Sequence, residues 1–174
     1  SDVTAGLANK LISRWAFLQA RGMPLTPSQT KNPKNVFTGI PLQEVFKSHE
    51  LGITKAMYKD IIGTKGAFNI LVVGGGLGAQ KINTAICGIA SELIEAIPKL
   101  KIAHITGKKL YKETNELYLK SLTEEKFEDH IKLIDFTTEL YKYSGAADIV
   151  VTRAGATNMA EFALQGRACV VIPN

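Results

Sequence analysis

The sequence is poor in the residues that build metal, redox and disulfide chemistry. It holds two cysteines, Cys87 and Cys169, each inside an apolar run (TAICGIA and RACVVIP) and neither in a CxxC pair. Both read as reduced, buried small hydrophobes of a cytoplasmic protein, which sets aside a disulfide scaffold and a thiolate metal site. The three histidines, His49, His104 and His130, are scattered, so their spacing shows no metal site. No apolar run approaches the ~20 residues that cross a bilayer, and no signal-peptide pattern opens the chain. It begins at Ser1 instead of a methionine and so reads as a processed or truncated product.

What is present is ordinary globular matter. Of 174 residues, 45% are hydrophobic and 21% charged, enough apolar material for one α/β domain, or one domain and a remnant of another. The net charge of +5 suits acidic partners such as phosphates, anionic lipid or nucleic acid. A lysine-rich soluble surface explains the same charge.

Residues 1–48 differ in texture from the rest. Leu7, Leu11, Ile12 and Trp15 have helical spacing over residues 7–16, and residues 17–20 suggest a short strand. A Pro/Thr/Ser/Asn/Lys stretch over residues 22–35 reads as loop, and residues 36–38 as a second strand closed by Gly39-Ile40-Pro41. A helix is expected around residues 53–61.

From Phe68 the pattern becomes regular. Phe68–Val73 (FNILVV) reads as a continuous apolar run rich in β-branched residues, as in a strand covered on both faces. A helix follows, with Ile82, Ile86, Ile89, Leu93 and Ile97 as its apolar stripe and Pro98 as its end. Further strands are expected over residues 101–106, 131–136, 148–152 and Ala168–Ile172, with helices over 110–120, 140–144 and 157–164. Alternation of this kind predicts an α/β fold: a Rossmann-like parallel sheet with helices on both faces. Ligands of such sheets sit beyond the carboxyl ends of the strands. The Gly74 loop, the Gly107 turn, residues 136–139 and residues 153–156 would share that one edge.

Two segments carry chemistry. Gly74-Gly75-Gly76-Leu77-Gly78-Ala79 lies between a strong strand and a strong helix. Glycine lets backbone approach a ligand closely, and the helix start offers free N–H groups and a positive dipole end, so the loop reads as a diphosphate seat. Through Gly74, Gly76 and Ala79 it also fits the dinucleotide pattern GxGxx(G/A). That pattern expects an acid after the next strand, where this chain has Gly107-Lys108-Lys109; NAD is disfavoured, and NADP on the two lysines stays open.

The second segment, residues 147–161 (ADIVVTRAGATNMAE), is a buried strand, the small-residue turn Arg153-Ala154-Gly155-Ala156, and a helix with Glu161 one turn in. Thr157 or Asn158 is available as helix cap, and a carboxylate at Glu161 can accept from two vicinal hydroxyls. It is equally a favourable acid near a helix N-terminus.

Together these segments resemble the MurG family of bacterial glycosyltransferases. Residues 70–83 (ILVVGGGLGAQKIN) are similar to the glycine loop of its C-terminal domain, and residues 148–161 to its donor-nucleotide signature at Arg153, Gly155, Ala156 and Glu161. His104-Ile105-Thr106-Gly107-Lys108 resembles its H-x-(S/T)-G-K segment. Residues 1–10 are similar to a loop late in its N-terminal domain, and residues 38–42 to its interdomain crossing. These matches run in family order along essentially the whole chain.

The resemblance implies a UDP-N-acetylglucosamine-dependent hexosyltransferase of peptidoglycan synthesis. Its acceptor would be an undecaprenyl-linked muramoyl-pentapeptide at the inner face of the cell membrane. It implies no nucleic acid partner, no cofactor and no metal. Residues 1–41 would be the end of the acceptor domain and the crossing, and residues 42–174 a truncated donor domain. Carried over, Glu161 would hold the ribose hydroxyls and the Thr137 backbone the uracil. Arg153, Gly155, Ala156, Thr157, Asn158, Met159 and Ala160 would line the nucleotide. Gly75, Gly76 and Gly78 would contact the diphosphate, and Asp2 would approach the sugar. Gln43 stands where the family has an arginine, Gly76 where it often has serine, and Ala5 where proline is common. No residue of the chain is assigned as catalytic. A donor-binding half working with a separate acceptor-binding chain, and an NADP-linked oxidoreductase, remain as alternatives.

Overall fold

The computed structural model describes residues 6–46, 55–58, 60–63, 66–74 and 79–173. The chain divides into two compact units, Ser1–Gln43 and Glu44–Asn174.

The first unit holds helix α1 (Leu7–Ile12), strand β1 (Gln19–Arg21), helix α2 (Pro27–Thr30) and strand β2 (Asn35–Phe37). The two strands pair in parallel, Gln19 opposite Asn35. The stretch expected as plain loop contains α2 because Thr26 and Gln29 form a reciprocal capping box, with the Thr26 N–H donating to Gln29 Oε1 at 2.9 Å. The strand expected at residues 17–20 starts two residues later. Leu7, Leu11, Ile12 and Trp15 are 86%, 57%, 60% and 76% exposed, so the helical stripe covers no core among the described residues of this unit.

The second unit opens with a 3₁₀ turn (Glu44–Phe46); residues 55–57 are helical, while Ile53 and Thr54 of the helix expected there lie outside the described residues. A regular α/β array follows: β3 (Phe68–Val73), α3 (Gln80–Ala96), β4 (Leu100–Ile105), α4 (Tyr111–Ser121), α5 (Glu124–His130), β5 (Ile131–Ile134), α6 (Leu140–Ala146), β6 (Ile149–Arg153), α7 (Ala156–Leu164) and β7 (Ala168–Ile172). The five strands form one sheet in the order β5-β4-β3-β6-β7, every pair parallel.

Side chains alternate across β3, so two cores form on its two faces. Ile70 and Val72 pack with Ile82, Ile86, Ala90 and Ile94 of α3 and Tyr118 of α4. Leu71 and Val73 pack with Ala146 after Tyr143 of α6 and with Phe162 of α7. Leu71 and Val72 are wholly buried, each contributing about 1.5–3 kcal/mol by leaving water. Coverage on both sides explains why the strand is apolar without alternation. The fold is thus the Rossmann-like α/β sheet that the residue pattern implies.

Several details differ from expectation. The buried stripe of α3 runs through Ile82, Ile86, Ala90 and Ile94, with Asn83 and Cys87 beside it, while Ile89 is 43% exposed. At 100° per residue Ile89 falls outside the arc centred on that line. α5 stands where no helix was expected; Thr123 caps it by accepting the Lys126 N–H, and Glu124 and Glu125 favour its positive end. β5 stops at Ile134 because Asp135 turns its carboxylate onto the N–H of Phe136 at 2.6 Å. Cys87 is buried, its thiol pushed up to about 12 by burial. Cys169 is only half-buried, being on β7, an outer strand where Val170 is 49% exposed.

Candidate functional site

The strand order fixes where a ligand can lie. From β3 the chain passes to β4 and β5 on one side, and β6 with β7 then pair on the other. The switch falls between the carboxyl ends of β3 and β6, where Val73 faces Thr152. Helices leave these two ends in opposite directions across the sheet, so a crevice opens between them. Because all five strands are parallel, the four loops named from sequence end on this one edge.

On the β3 side, Gly74 is buried and Ala79 precedes α3. Gly75, Gly76 and Gly78 lie outside the described residues. Among the described residues no side chain caps α3, and the N–H groups of a helix's first turn are oriented toward an acceptor. A hollow of about 350 Å³ lies here, lined by Ala79, by Gln80, Lys81 and Ile82 of α3, by Arg153 of β6, and by Ile172, the last residue of β7, with Pro173 after it. Two cationic side chains and a helix start on one wall make it suited to an anion. Sequence reasoning found Arg153 but missed Lys81, Ile172 and Pro173. Lys81 follows the glycine loop and could have been counted; Ile172 and Pro173 come into reach only through β6–β7 pairing.

On the β6 side, Arg153 is the last strand residue and half-buried. The chain then turns, Ala154 donating its N–H to the Ile172 carbonyl at 3.1 Å. Gly155 is the N-cap of α7, and among the described residues no side chain caps that helix either. Thr157 and Asn158, expected as caps, are instead inside its first turn, because the helix starts at Ala156. Ala156, Asn158, Met159 and Ala160 are half-buried and Thr157 is exposed.

Glu161 differs from its neighbours. It is 7% exposed, and burial raises its pKa above the ordinary carboxylate value of 4.5. Desolvation is the one cause of that shift, with no charge or hydrogen bond acting on the carboxylate among the described residues. An acid held in this way is costly for the free protein and gains most from a ligand that donates hydrogen bonds.

The remaining predicted residues are dispersed. Thr137 lies in the loop after β5, where its Oγ1 accepts the Glu139 N–H at 3.0 Å, leaving its own backbone groups free of that contact. Gln43 is exposed and ends the first unit. Asp2 lies outside the described residues. A second hollow, about 480 Å³, is lined by Lys108, Lys109, Tyr111, Lys112, Leu133, Ile134 and Asp135. Lys108 there sits 5.0 Å above the Phe136 ring. Among the described residues no three His, Cys, Asp or Glu side chains gather as a metal site.

Comparison with known proteins agrees with this fold. Residues 69–174 match the glycosyltransferase family 28 C-terminal domain. The chain is 29% identical, over 174 residues, to the UDP-N-acetylglucosamine--N-acetylmuramyl-(pentapeptide) pyrophosphoryl-undecaprenol N-acetylglucosamine transferase of Natranaerobius thermophilus, a match covering 99% of this chain and 46% of that one. It is 31% identical over 168 residues to the enzyme of the same description from Citrifermentans bemidjiense, covering 97% of this chain and 43% of that one. The crystal structure of Acinetobacter baumannii MurG superposes with a TM-score of 0.65 at 24% identity, covering 99% of this chain and 44% of that one, a likeness of fold. The chain spans less than half the length of the curated relatives it matches.

Proposed function

The chain belongs to glycosyltransferase family 28 through its C-terminal domain, and from that premise we propose that it is the donor-binding part of an N-acetylglucosaminyltransferase of peptidoglycan synthesis. Its donor is UDP-N-acetylglucosamine, and the acceptor of the whole enzyme is a lipid-linked muramoyl-pentapeptide. Residues 42–174 hold the donor, and residues 1–41 belong to the acceptor-side domain and the crossing.

The observation that carries the reading is Glu161, mostly buried and with no charge or hydrogen bond set against its carboxylate among the described residues, on a helix that starts at the switch point. Two vicinal ribose hydroxyls would satisfy it. The starts of α3 and α7, which no described side chain caps, would take the diphosphate together with Lys81 and Arg153. As the sugar–phosphate bond breaks, negative charge builds on the departing UDP, and preoriented N–H groups and cations stabilise it without reorganising. Asp2, Gln43, Gly75, Gly76, Gly78 and the Thr137 backbone complete the proposed contacts.

The acceptor is a lipid, so the enzyme works at the inner face of the cell membrane. None of the described helices is long and apolar enough to cross it, and the net charge of +5 suits an anionic surface. Calorimetric titration of the complete protein with UDP-N-acetylglucosamine and with NADP tests the proposal. The nucleotide sugar is expected to bind more tightly; NADP binding at least as well would overturn it.

A further inference from the structure

His104, Thr106 and Gly107 take no part in the crevice described above, yet His104 is wholly buried and centres a polar network inside the core between α3, β4 and α4. Its protons can be placed by elimination. The Thr106 and Leu110 carbonyls only accept. Thr114 Oγ1 donates to the Leu110 carbonyl at 2.7 Å, so it must accept from Asn83 Nδ2 at 3.1 Å. The other Asn83 N–H goes to the Thr106 carbonyl at 3.1 Å. With both amide protons committed, Asn83 Oδ1 accepts at 3.0 Å from the N–H at His104 Nε2. The bare Nδ1 then accepts from the Tyr118 hydroxyl at 2.9 Å. One neutral tautomer satisfies every group.

The place of Asn83 gives this network its meaning. It lies in the first turn of α3, shortly after the glycine loop, and no described side chain caps α3. The groups it grips, on Thr106 and Thr114, flank the turn at Gly107, whose φ of 87° favours glycine. Thr106 is bonded in turn to β5, its N–H reaching the Ile134 carbonyl at 2.9 Å. The start of α3 is therefore fixed to the ends of β4 and β5 as well as to the strand that leads into it.

We infer that Asn83 and His104 are positioning residues for the diphosphate seat, holding the first turn of α3 where its N–H groups, uncapped by any described side chain, would meet the donor's phosphates. The inference rests on the nucleotide-sugar reading and names the buried residues behind its phosphate selectivity.

The test is titration of the full-length enzyme with UDP and with uridine. Uridine lacks the phosphates, so the ratio of the two affinities isolates the seat. His104→Leu and Asn83→Leu are expected to lower the UDP:uridine ratio about tenfold, the effect of losing one good hydrogen bond to a charged group, with uridine affinity unchanged. His104→Gln, whose amide N–H can still reach Asn83 Oδ1, should keep the wild-type ratio. Ile94→Ala, buried toward the far end of α3, lowers the melting temperature without moving the ratio. If the leucine variants fail to fold, Asn83→Asp keeps the shape, loses the N–H donors and carries the same expectation. Variants that melt earlier yet keep the wild-type ratio overturn the inference. A wild type with no preference for UDP over uridine overturns the nucleotide-sugar reading, and the inference with it.

Discussion

Asn69 and Asp148 are bonded to each other twice: the Asp148 carboxylate accepts the Asn69 backbone N–H at 2.8 Å, and the Asn69 carbonyl accepts the Asp148 N–H at 2.8 Å. They join β3 to the start of β6 at the rim opposite the crevice, between the same two strands whose far ends part to form it. Lys55 also pairs with Asp148, but both side chains keep solvent contact, so that pair adds little. Asp148→Ala should cost about 1–3 kcal/mol by stranding a backbone N–H, read as a lower urea midpoint. Donor KM should not change, because the loss is remote from the ligand edge.

Glu161→Gln separates a ligand contact from a helix residue. Gln keeps the shape but loses the charge and turns one acceptor into a donor. Bonds of a carboxylate to two hydroxyls are charge-assisted, so the donor KM should rise about 10- to 100-fold. The ribose is remote from the reacting carbon, so kcat should fall less. A KM equal to wild type in steady-state kinetics would reduce Glu161 to a favourable acid near a helix start.

The same carboxylate sets a pH limit. Burial raises its pKa, so in the free protein it takes up a proton at higher pH than an exposed glutamate does. Only the ionised form accepts from both hydroxyls. Donor affinity should therefore decline as pH falls through that raised value, and the Glu161→Gln variant should lack this decline. Titration calorimetry across the acid range reads both curves.

His104 predicts a dependence for stability. Burial lowers its pKa from 6.5 to about 3, so the fold binds only the neutral ring. Below pH 6.5 the unfolded chain takes up a proton that the native state refuses, and stability falls progressively toward pH 3. The loss should reach about 2 kcal/mol by pH 5. Denaturant midpoints against pH check this, and His104→Gln should remove that part of the slope.

The residues make plain why some of this was legible in the sequence. Phe68–Val73, apolar but for Asn69, and Ala168–Ile172 are short apolar runs between breakers, and the strands occupy those bounds. Parallel order followed from alternation of strand and helix, and the switch point followed from it once β6 was seen to pair with β3. Local competition was harder to read. Ile89 is apolar and correctly spaced from its neighbours, but Ala90 and Cys87 lie nearer the centre of the buried arc. Thr157 and Asn158 looked like caps, while backbone geometry placed Gly155 there. The site suffered most where distance in sequence is large: nothing along the chain tells that Pro173 borders Lys81, or that His104 bonds Asn83.

The rim of β7 governs how these residues behave at high concentration. Val170, Val171 and Ile172 are 49%, 39% and 38% exposed, on a strand paired on one flank only among the described residues. A row of unsatisfied backbone groups beside apolar side chains is a template for a further strand. Two copies of this 174-residue chain can meet rim to rim, so light scattering should show association that grows with concentration. A lysine at Val170 would introduce the charge by which natural edge strands resist such growth, and should shift the onset to higher concentration.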